Sequence, residues 1–131
     1  MRLLDTDTCI WLLRGDARVL EQRARILDEV ATTWITASEL FYGAARSRHP
    51  ESSAAHVLEL LNTMPILELD AVSCRIFGEA KALLERRGER LSDADLLIGA
   101  MAAARGAVLV TGNVRHFSRM PGVTLESWLR P

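Results

Sequence analysis

The chain has 131 residues, of which 49% are hydrophobic and 25% charged, and this composition indicates a single globular domain spanning residues 1–131. The formal net charge is −1, so no global electrostatic field draws the protein to nucleic acid. The two cysteines, Cys9 and Cys74, form neither a CxxC pair nor a zinc-binding pattern, which fits a reducing compartment.

The beginning of the chain lacks the features of a secretory leader. Arg2, Asp5, Asp7 and Arg14 interrupt the apolar core that such a leader needs. No uninterrupted apolar stretch reaches the length of a membrane span. We therefore expect a cytoplasmic protein that does not enter a membrane.

Short apolar or β-branched runs alternate with segments of helical periodicity along the chain. The predicted strands are residues 2–4, 32–35, 66–69, 107–111 and 123–125. The predicted helices are residues 6–13, 17–30, 36–46, 50–64, 70–87 and 92–105, and residues 112–122 are predicted as a loop. This alternation, with an almost continuously apolar run at 107–111, predicts an α/β fold, a three-layer α/β/α sandwich with a mainly parallel central sheet.

Three carboxylates lie where a predicted strand ends or a predicted helix begins. Asp5 closes the first strand, Glu39 follows the second, and Asp95 lies in the helix that opens near Ser92. In a parallel sheet such positions gather at the carboxyl edge of the strands. Two like charges about 4 Å apart repel by roughly 4 kcal/mol at an effective dielectric constant near 20, and a divalent cation turns that repulsion into attraction. The sequence therefore predicts a magnesium site, whose usual chemistry is on phosphodiesters.

Each of these acids also has a structural interpretation. Asp5 fits the N-cap of the first helix, Thr36-x-x-Glu39 fits a capping box, and Ser92-x-x-Asp95 fits that pattern more loosely. The two interpretations are compatible, because a carboxylate in the first turn of a helix also faces the edge of the sheet. The presence of three such acids at three junctions favours a functional site.

Other polar residues near these junctions have two interpretations each. Asp93 is either a second acid of the site or a solvated charge in the first turn of its helix. Asn113 is either a polar member of the site or a turn residue. The basic segment 86–90 either grips phosphate or is a solvated loop. The three histidines show no paired spacing and are expected at the surface or in loops.

Four sequence segments occur in order: LLDTD (3–7), TASELFYGA (36–44), DLLIGA (95–100) and LVTGNVRHF (109–117), followed by PGVTLESW (121–128). Together they resemble the PIN-domain ribonucleases, specifically the VapC-like toxins of bacterial toxin–antitoxin pairs, over nearly the whole chain. The resemblance implies that Asp5, Glu39 and Asp95 hold Mg²⁺, with Mn²⁺ as the alternative ion. Asp7 stands where the subgroup commonly has Asn, and Asp93 stands where it often has a small residue or proline.

The same resemblance implies a magnesium-dependent endoribonuclease that hydrolyses transfer or ribosomal RNA by metal-activated water. It also implies a toxin homodimer and a hetero-oligomer with a VapB-like antitoxin. The residues expected to take part in catalysis are Asp5, Glu39, Asp95, Asp93 and Asn113. The residues expected to support the site or to contact RNA are Thr6, Asp7, Thr111, Arg86, Arg87 and Arg90.

Two other classes of function stay open at this point. The run LLDTDT (3–8) fits the first motif of haloacid-dehalogenase-like phosphatases, with Asp5 as nucleophile and Asp7 as acid/base. That superfamily needs a late lysine, however, and the only lysine here, Lys81, comes too early. The other alternative is a non-catalytic binding module of nuclease fold, which would bind a partner without cleaving RNA.

Overall fold

The computed structural model describes residues 1–129, and these residues form five strands and seven helices. The strands are β1 (Arg2–Leu4), β2 (Val30–Thr33), β3 (Ile66–Leu67), β4 (Val108–Val110) and β5 (Thr124–Glu126). The helices are α1 (Thr6–Leu13), α2 (Ala17–Arg25), α3 (Trp34–Ala45), α4 (Pro50–Leu61), α5 (Ala71–Arg86), α6 (Asp93–Ala104) and α7 (Val114–Phe117).

The five strands form one sheet in the order β3-β2-β1-β4-β5, and every pairing in it is parallel. Leu3 of β1 is aligned with Ala31 of β2 on one side and with Leu109 of β4 on the other. Because the strands are parallel, their carboxyl ends meet at one edge of the sheet, and the segments that follow β1, β2 and β4 begin there.

Alternation along the central strands divides the core between the two faces of the sheet. Leu3, Ala31 and Leu109 belong to a buried cluster with Ile98 of α6 and Phe117 of α7. Leu4 and Val110 point to the opposite face and belong to a cluster with residues of α1, α2, α3 and α4. Helices therefore cover both faces, which confirms the predicted three-layer α/β/α sandwich.

The predicted boundary between the second helix and the second strand is wrong. The sequence predicts that this helix extends to residue 30, but α2 ends at Arg25. The backbone of Ile26 is already extended, with ψ 122°. Val30 instead begins β2 and pairs with Arg2 of β1. The run of apolar residues at helical spacing was misleading here, because Leu27 is almost fully exposed.

The start of α3 also differs from the prediction, and a single hydroxyl group explains the difference. The Thr33 side chain accepts a hydrogen bond of 3.0 Å from the backbone N–H of Thr36, so Thr33 is the N-cap and the helix begins at Trp34. The predicted capping box at Thr36 and Glu39 is therefore wrong, and the Glu39 side chain is not used as a cap.

The segment predicted as a loop, residues 112–122, contains the short helix α7. Phe117, which is 1% exposed, anchors this helix in the core. Within residues 1–129, no helix has both the length and the apolar character that a membrane span requires.

The capping role of Thr33 can be tested by mutation. Thr33→Ala should lower the free energy of unfolding by about 1 kcal/mol, because it removes the hydrogen bond that starts α3. Thr63→Ala is a matched control: Thr63 is exposed beyond the end of α4 and should change stability by less than about 0.5 kcal/mol. Urea denaturation of both variants measures the difference, and equal effects would contradict the assignment.

Candidate active site

Asp5 lies directly after β1 and is the N-cap of α1. Its carboxylate accepts a hydrogen bond of 2.9 Å from the backbone N–H of Thr8, and the residue is only 3% exposed. Burial raises the pKa of the Asp5 carboxyl from 3.8 to about 6, although hydrogen bonds from Thr111 and Thr8 oppose this shift. Among residues 1–129, no Arg, Lys or His forms an ion pair with this carboxylate. Asp5 is thus a buried acid without a cationic partner from the described chain.

Thr111 and Asn113 extend the site from the end of β4. The buried Thr111 hydroxyl is hydrogen-bonded to Asp5 and also accepts a bond of 2.9 Å from the backbone N–H of Asn113. Asn113 is the N-cap residue of α7, yet its exposed side chain makes no capping hydrogen bond. Thr111 therefore orients Asp5, whereas the Asn113 amide remains available at the mouth of the site.

Glu39 reaches the same edge from α3. Its Oε1 accepts a hydrogen bond of 2.5 Å from the hydroxyl of Thr6, the residue next to Asp5, and that hydroxyl lies 3.2 Å from Thr36 Oγ1. The helix α3 packs against both α1 and α6. One threonine therefore links the acid of the second motif to the acid of the first.

Asp7 and Asp95 complete the acidic edge. Burial is the main cause that raises the pKa of the Asp95 carboxyl, and the negative charge of Asp7 raises it further. The same Asp7 charge also raises the pKa of Asp5. Asp7 is therefore close enough to both carboxylates for its charge to act on each of them.

His116 is a member of this site that the sequence did not single out. The Nε2 atom of His116 lies 3.7 Å from Oδ2 of Asp95, and this contact lowers the pKa of Asp95 against the larger effect of burial. His116 is 30% exposed and lies in α7, within the segment predicted as a loop, so its position is the expected one and only its contact with Asp95 was not foreseen. The available signal was its position, three residues after Asn113 in a segment that leaves the edge of the sheet.

The structure does not bring Asp93 into the acidic edge. The Asp93 carboxylate is 2.9 Å from the Lys81 ammonium group of α5 and is mostly exposed. Ser92, the N-cap of α6, holds the backbone N–H of Asp95 instead. The interpretation of Asp93 as a solvated charge in the first turn therefore fits its contacts better than a role as a ligand.

The donor set suits a hard divalent cation. Within residues 1–129, no three side chains of the His, Cys, Asp and Glu types lie close enough to form a ready-made metal cage. Mg²⁺, however, usually keeps several waters and is held by one or two carboxylates. Asp5 supplies a buried oxygen ligand without a counter-charge, and Asp95 supplies a second, half-buried one. The residues present therefore fit a hydrated Mg²⁺ ion, with Glu39 next to it.

Comparison with known proteins agrees with this fold. The family model described as the PIN domain matches residues 2–123. A tRNA(fMet)-specific endonuclease VapC of Salmonella typhimurium is 33% identical over 127 residues, which cover 96% of each chain. Ribonuclease VapC2 of Haemophilus influenzae is 30% identical over 128 residues, which cover 97% of each chain. A chain of the crystal structure of DNA-bound VapBC from Salmonella typhimurium superposes with a TM-score of 0.91 at 33% identity, again over 97% of each chain.

A parallel sheet in this strand order with acids at its carboxyl edge is the architecture of a PIN-type nuclease domain. The chain belongs to the PIN-domain family and, within it, to the VapC ribonucleases. This membership excludes the phosphatase alternative, which also requires a late lysine, whereas the only lysine of the sequence is Lys81.

The burial of Asp5 predicts a specific pH dependence of stability. Because the folded-state pKa lies above the ordinary value, the metal-free protein should lose stability as the pH rises from about 4 to 6, by on the order of 2–3 kcal/mol. Asp5→Asn should remove most of this loss, so the variant should be more stable than the wild type near pH 7 but not near pH 4.

Urea denaturation in the presence of a chelator, at a series of pH values, measures this effect. Asp93→Asn is the matched control, since it removes an exposed acid and should leave the pH profile unchanged in this window. Parallel profiles for wild type and Asp5→Asn would contradict the burial of a charged carboxylate.

Proposed function

We propose that this VapC-family protein is a magnesium-dependent endoribonuclease, the toxin of a toxin–antitoxin pair, which hydrolyses phosphodiester bonds of transfer or ribosomal RNA. The observation that carries the proposal is the buried Asp5 carboxylate, which has no counter-charge among residues 1–129 and shares the carboxyl edge of the sheet with Asp95 and Glu39. A buried charge of this kind is costly unless a cation neutralises it.

In the proposed mechanism, the residues of the chain hold and orient the reacting groups. Asp5 and Asp95 would hold the ion, and Glu39 would contact it directly or through a water. When bound, Mg²⁺ supplies positive charge that polarises the scissile phosphate and lowers the pKa of a water.

The hydrogen bonds from the Thr8 N–H and the Thr111 hydroxyl fix the orientation of the Asp5 carboxylate before any ligand arrives. Thr6 does the same for Glu39 through its short hydrogen bond. No side chain of the site forms a covalent bond with phosphorus in this scheme.

Support for the choice of substrate comes from the relatives. The Salmonella typhimurium protein, which is 33% identical over almost its whole length, is named a tRNA(fMet)-specific endonuclease. Transfer RNA is therefore the substrate class that we place first, and ribosomal RNA is the alternative. Mn²⁺ is the alternative ion, because it prefers the same oxygen ligands.

We further propose that a VapB-like antitoxin binds and neutralises this chain in a hetero-oligomer built on a toxin homodimer. The support is the likeness to a chain of the Salmonella typhimurium VapBC structure. A groove of about 350 Å³ between α1, α3 and α4 offers a place for a peptide segment of the antitoxin; its lining combines apolar residues such as Ile10, Leu13, Leu40 and Val57 with the polar Arg14, Ser53 and His56. The two unpaired cysteines, Cys9 and Cys74, support a cytoplasmic location.

Cleavage of RNA by the purified chain is the primary test. Asp5→Ala and Asp95→Ala should each lower the cleavage rate of bacterial transfer RNA by roughly a hundredfold or more, because each removes an oxygen ligand from the site. Glu59→Gln, which changes an exposed acid on α4, is the control and should leave the rate unchanged. Asp93→Asn should also stay close to the wild-type rate. If the wild type cleaves no RNA even at high Mg²⁺ concentration, the non-catalytic binding module is the better description.

Binding of the ion can be measured without cleavage. Mg²⁺ at about 100 times its dissociation constant should stabilise the folded wild type by about 2.7 kcal/mol, since it binds the folded state alone. The melting temperature near pH 7 should therefore rise with Mg²⁺ in the wild type and in Glu59→Gln, and much less in Asp5→Asn. A rise of equal size in all three proteins would place the ion elsewhere.

A further inference from the structure

An open cleft lies beside the acidic edge, between the loop that precedes α6 and the helix α7. Its volume is about 710 Å³. We call it the arginine cleft, and it is lined by Gly88, Glu89, Arg90, Arg115, Ser118 and Arg119.

Two short connections join the arginine cleft to Asp95. Arg90 lies five residues before Asp95, in the loop that leads directly into α6. On the other wall, Arg115 is adjacent in sequence to His116, whose Nε2 lies 3.7 Å from the Asp95 carboxylate. Both walls of the cleft therefore lead to the same proposed metal ligand.

The charge of the arginine cleft is strongly positive, whereas the chain as a whole has a net charge of −1. Three guanidinium groups and one carboxylate line it. The carboxylate, that of Glu89, is paired with Arg119 at 3.8 Å. Among residues 1–129, Arg90 and Arg115 form no ion pair, and both are exposed. Two guanidinium groups beside the site are thus left to bind an anion.

A neighbouring cavity has a different charge, so a net positive lining is not a general feature of this part of the surface. It has a volume of about 630 Å³ and lies on the other side of the loop of residues 88–90. Its charged lining residues are Lys81, Glu85, Glu89, Arg90 and Asp93, so acids outnumber bases, and Lys81 is already paired with Asp93. This mixed cavity does not favour an anionic ligand.

We propose that the arginine cleft binds a backbone phosphate of the RNA strand next to the cleavage site, with Arg90 and Arg115 as its ligands. The proposal rests on the ribonuclease function proposed above. Acids at the carboxyl edge repel a polyanion, so RNA needs cations close to that edge in order to dock. Guanidinium groups suit this task because their planar N–H donors match phosphate oxygens.

The other two arginines of the basic segment, Arg86 and Arg87, lie outside the arginine cleft. Arg86 and Arg87 are exposed at the end of α5 but line neither of these two cavities. We therefore assign them no part in binding RNA, and they provide a control pair that carries the same charge as Arg90 and Arg115.

The test compares two double variants with matched charge changes, each in an Asp5→Asn background that blocks cleavage. Binding of unfractionated bacterial transfer RNA is measured over a series of KCl concentrations. Arg90→Ser with Arg115→Ser should weaken binding roughly tenfold. It should also reduce the slope of log affinity against log salt concentration by roughly 0.7–0.9, since the contact to one phosphate is lost. Arg86→Ser with Arg87→Ser should leave both quantities unchanged.

Two additional measurements keep the result interpretable. Arg90→Lys with Arg115→Lys preserves the charge, so it should keep the salt slope and lose part of the affinity. Thermal unfolding of every variant checks the fold, and a misfolded serine pair is replaced by the corresponding glutamine pair. With Asp5 restored, the serine pair should raise KM for RNA cleavage and leave kcat nearly unchanged, because the contact is made in the ground state as well.

Each adverse outcome has a distinct meaning. Equal loss of binding in the two double variants would overturn the cleft as a specific site and leave only a general effect of charge. Unchanged binding in the Arg90 and Arg115 pair, with a wild type that cleaves RNA, would overturn the cleft and leave the ribonuclease intact. A wild type that neither binds nor cleaves RNA would overturn both proposals.

Discussion

The burial of one carboxylate at the end of the first strand is the constraint around which the site is arranged. Asp5 ends β1, caps α1 and accepts hydrogen bonds from Thr8 and Thr111, so the fold determines its orientation. Burial disfavours the charged form of the Asp5 carboxyl and raises its pKa to about 6. A carboxylate whose orientation is fixed and whose charge has no cationic partner favours cation binding. The cation would offset the free-energy cost of burying the negative charge, and the protein would not need to rearrange.

The remaining acids depend on small polar side chains for their connection to Asp5. Thr6 joins Glu39 to α1, the charge of Asp7 acts on both Asp5 and Asp95, and His116 connects Asp95 to α7. Four helices (α1, α3, α6 and α7) and the ends of two strands therefore meet through a few polar contacts. Where residues of this kind surround a bound metal ion, their removal usually changes affinity or activity by about 10- to 100-fold.

The sequence revealed the core and the acids more reliably than their surroundings, and there are physical reasons for this. Strands β1 and β4 are buried on both faces, so their apolar runs were unambiguous. The segment from Thr32 to Ile35 has high strand propensity throughout, but the hydroxyl of Thr33 starts a helix within it, and propensity does not detect such a hydrogen bond. Asp93 and His116 also show that position in the sequence does not decide which residues reach the site. Proximity in sequence suggested that Asp93 belongs to the site, yet Lys81 attracts it elsewhere, whereas only the tertiary fold brings His116 to Asp95.

The acids at the carboxyl edge of the sheet favour a metal cation but repel RNA. The proposed function requires that both bind there. With a net charge of −1, the chain cannot rely on its overall field to capture RNA, and exposed charges more than about 10 Å apart are largely screened in ordinary salt. Cations that help RNA to dock must therefore lie within one such distance of the acids. The loop before α6 leads into Asp95, and α7 carries the histidine that contacts it; each segment has an exposed arginine that lines the cleft, Arg90 or Arg115, which forms no ion pair among residues 1–129. In the proposed function, the positive charges of these two arginines offset the repulsion between the acidic edge and the phosphates of RNA.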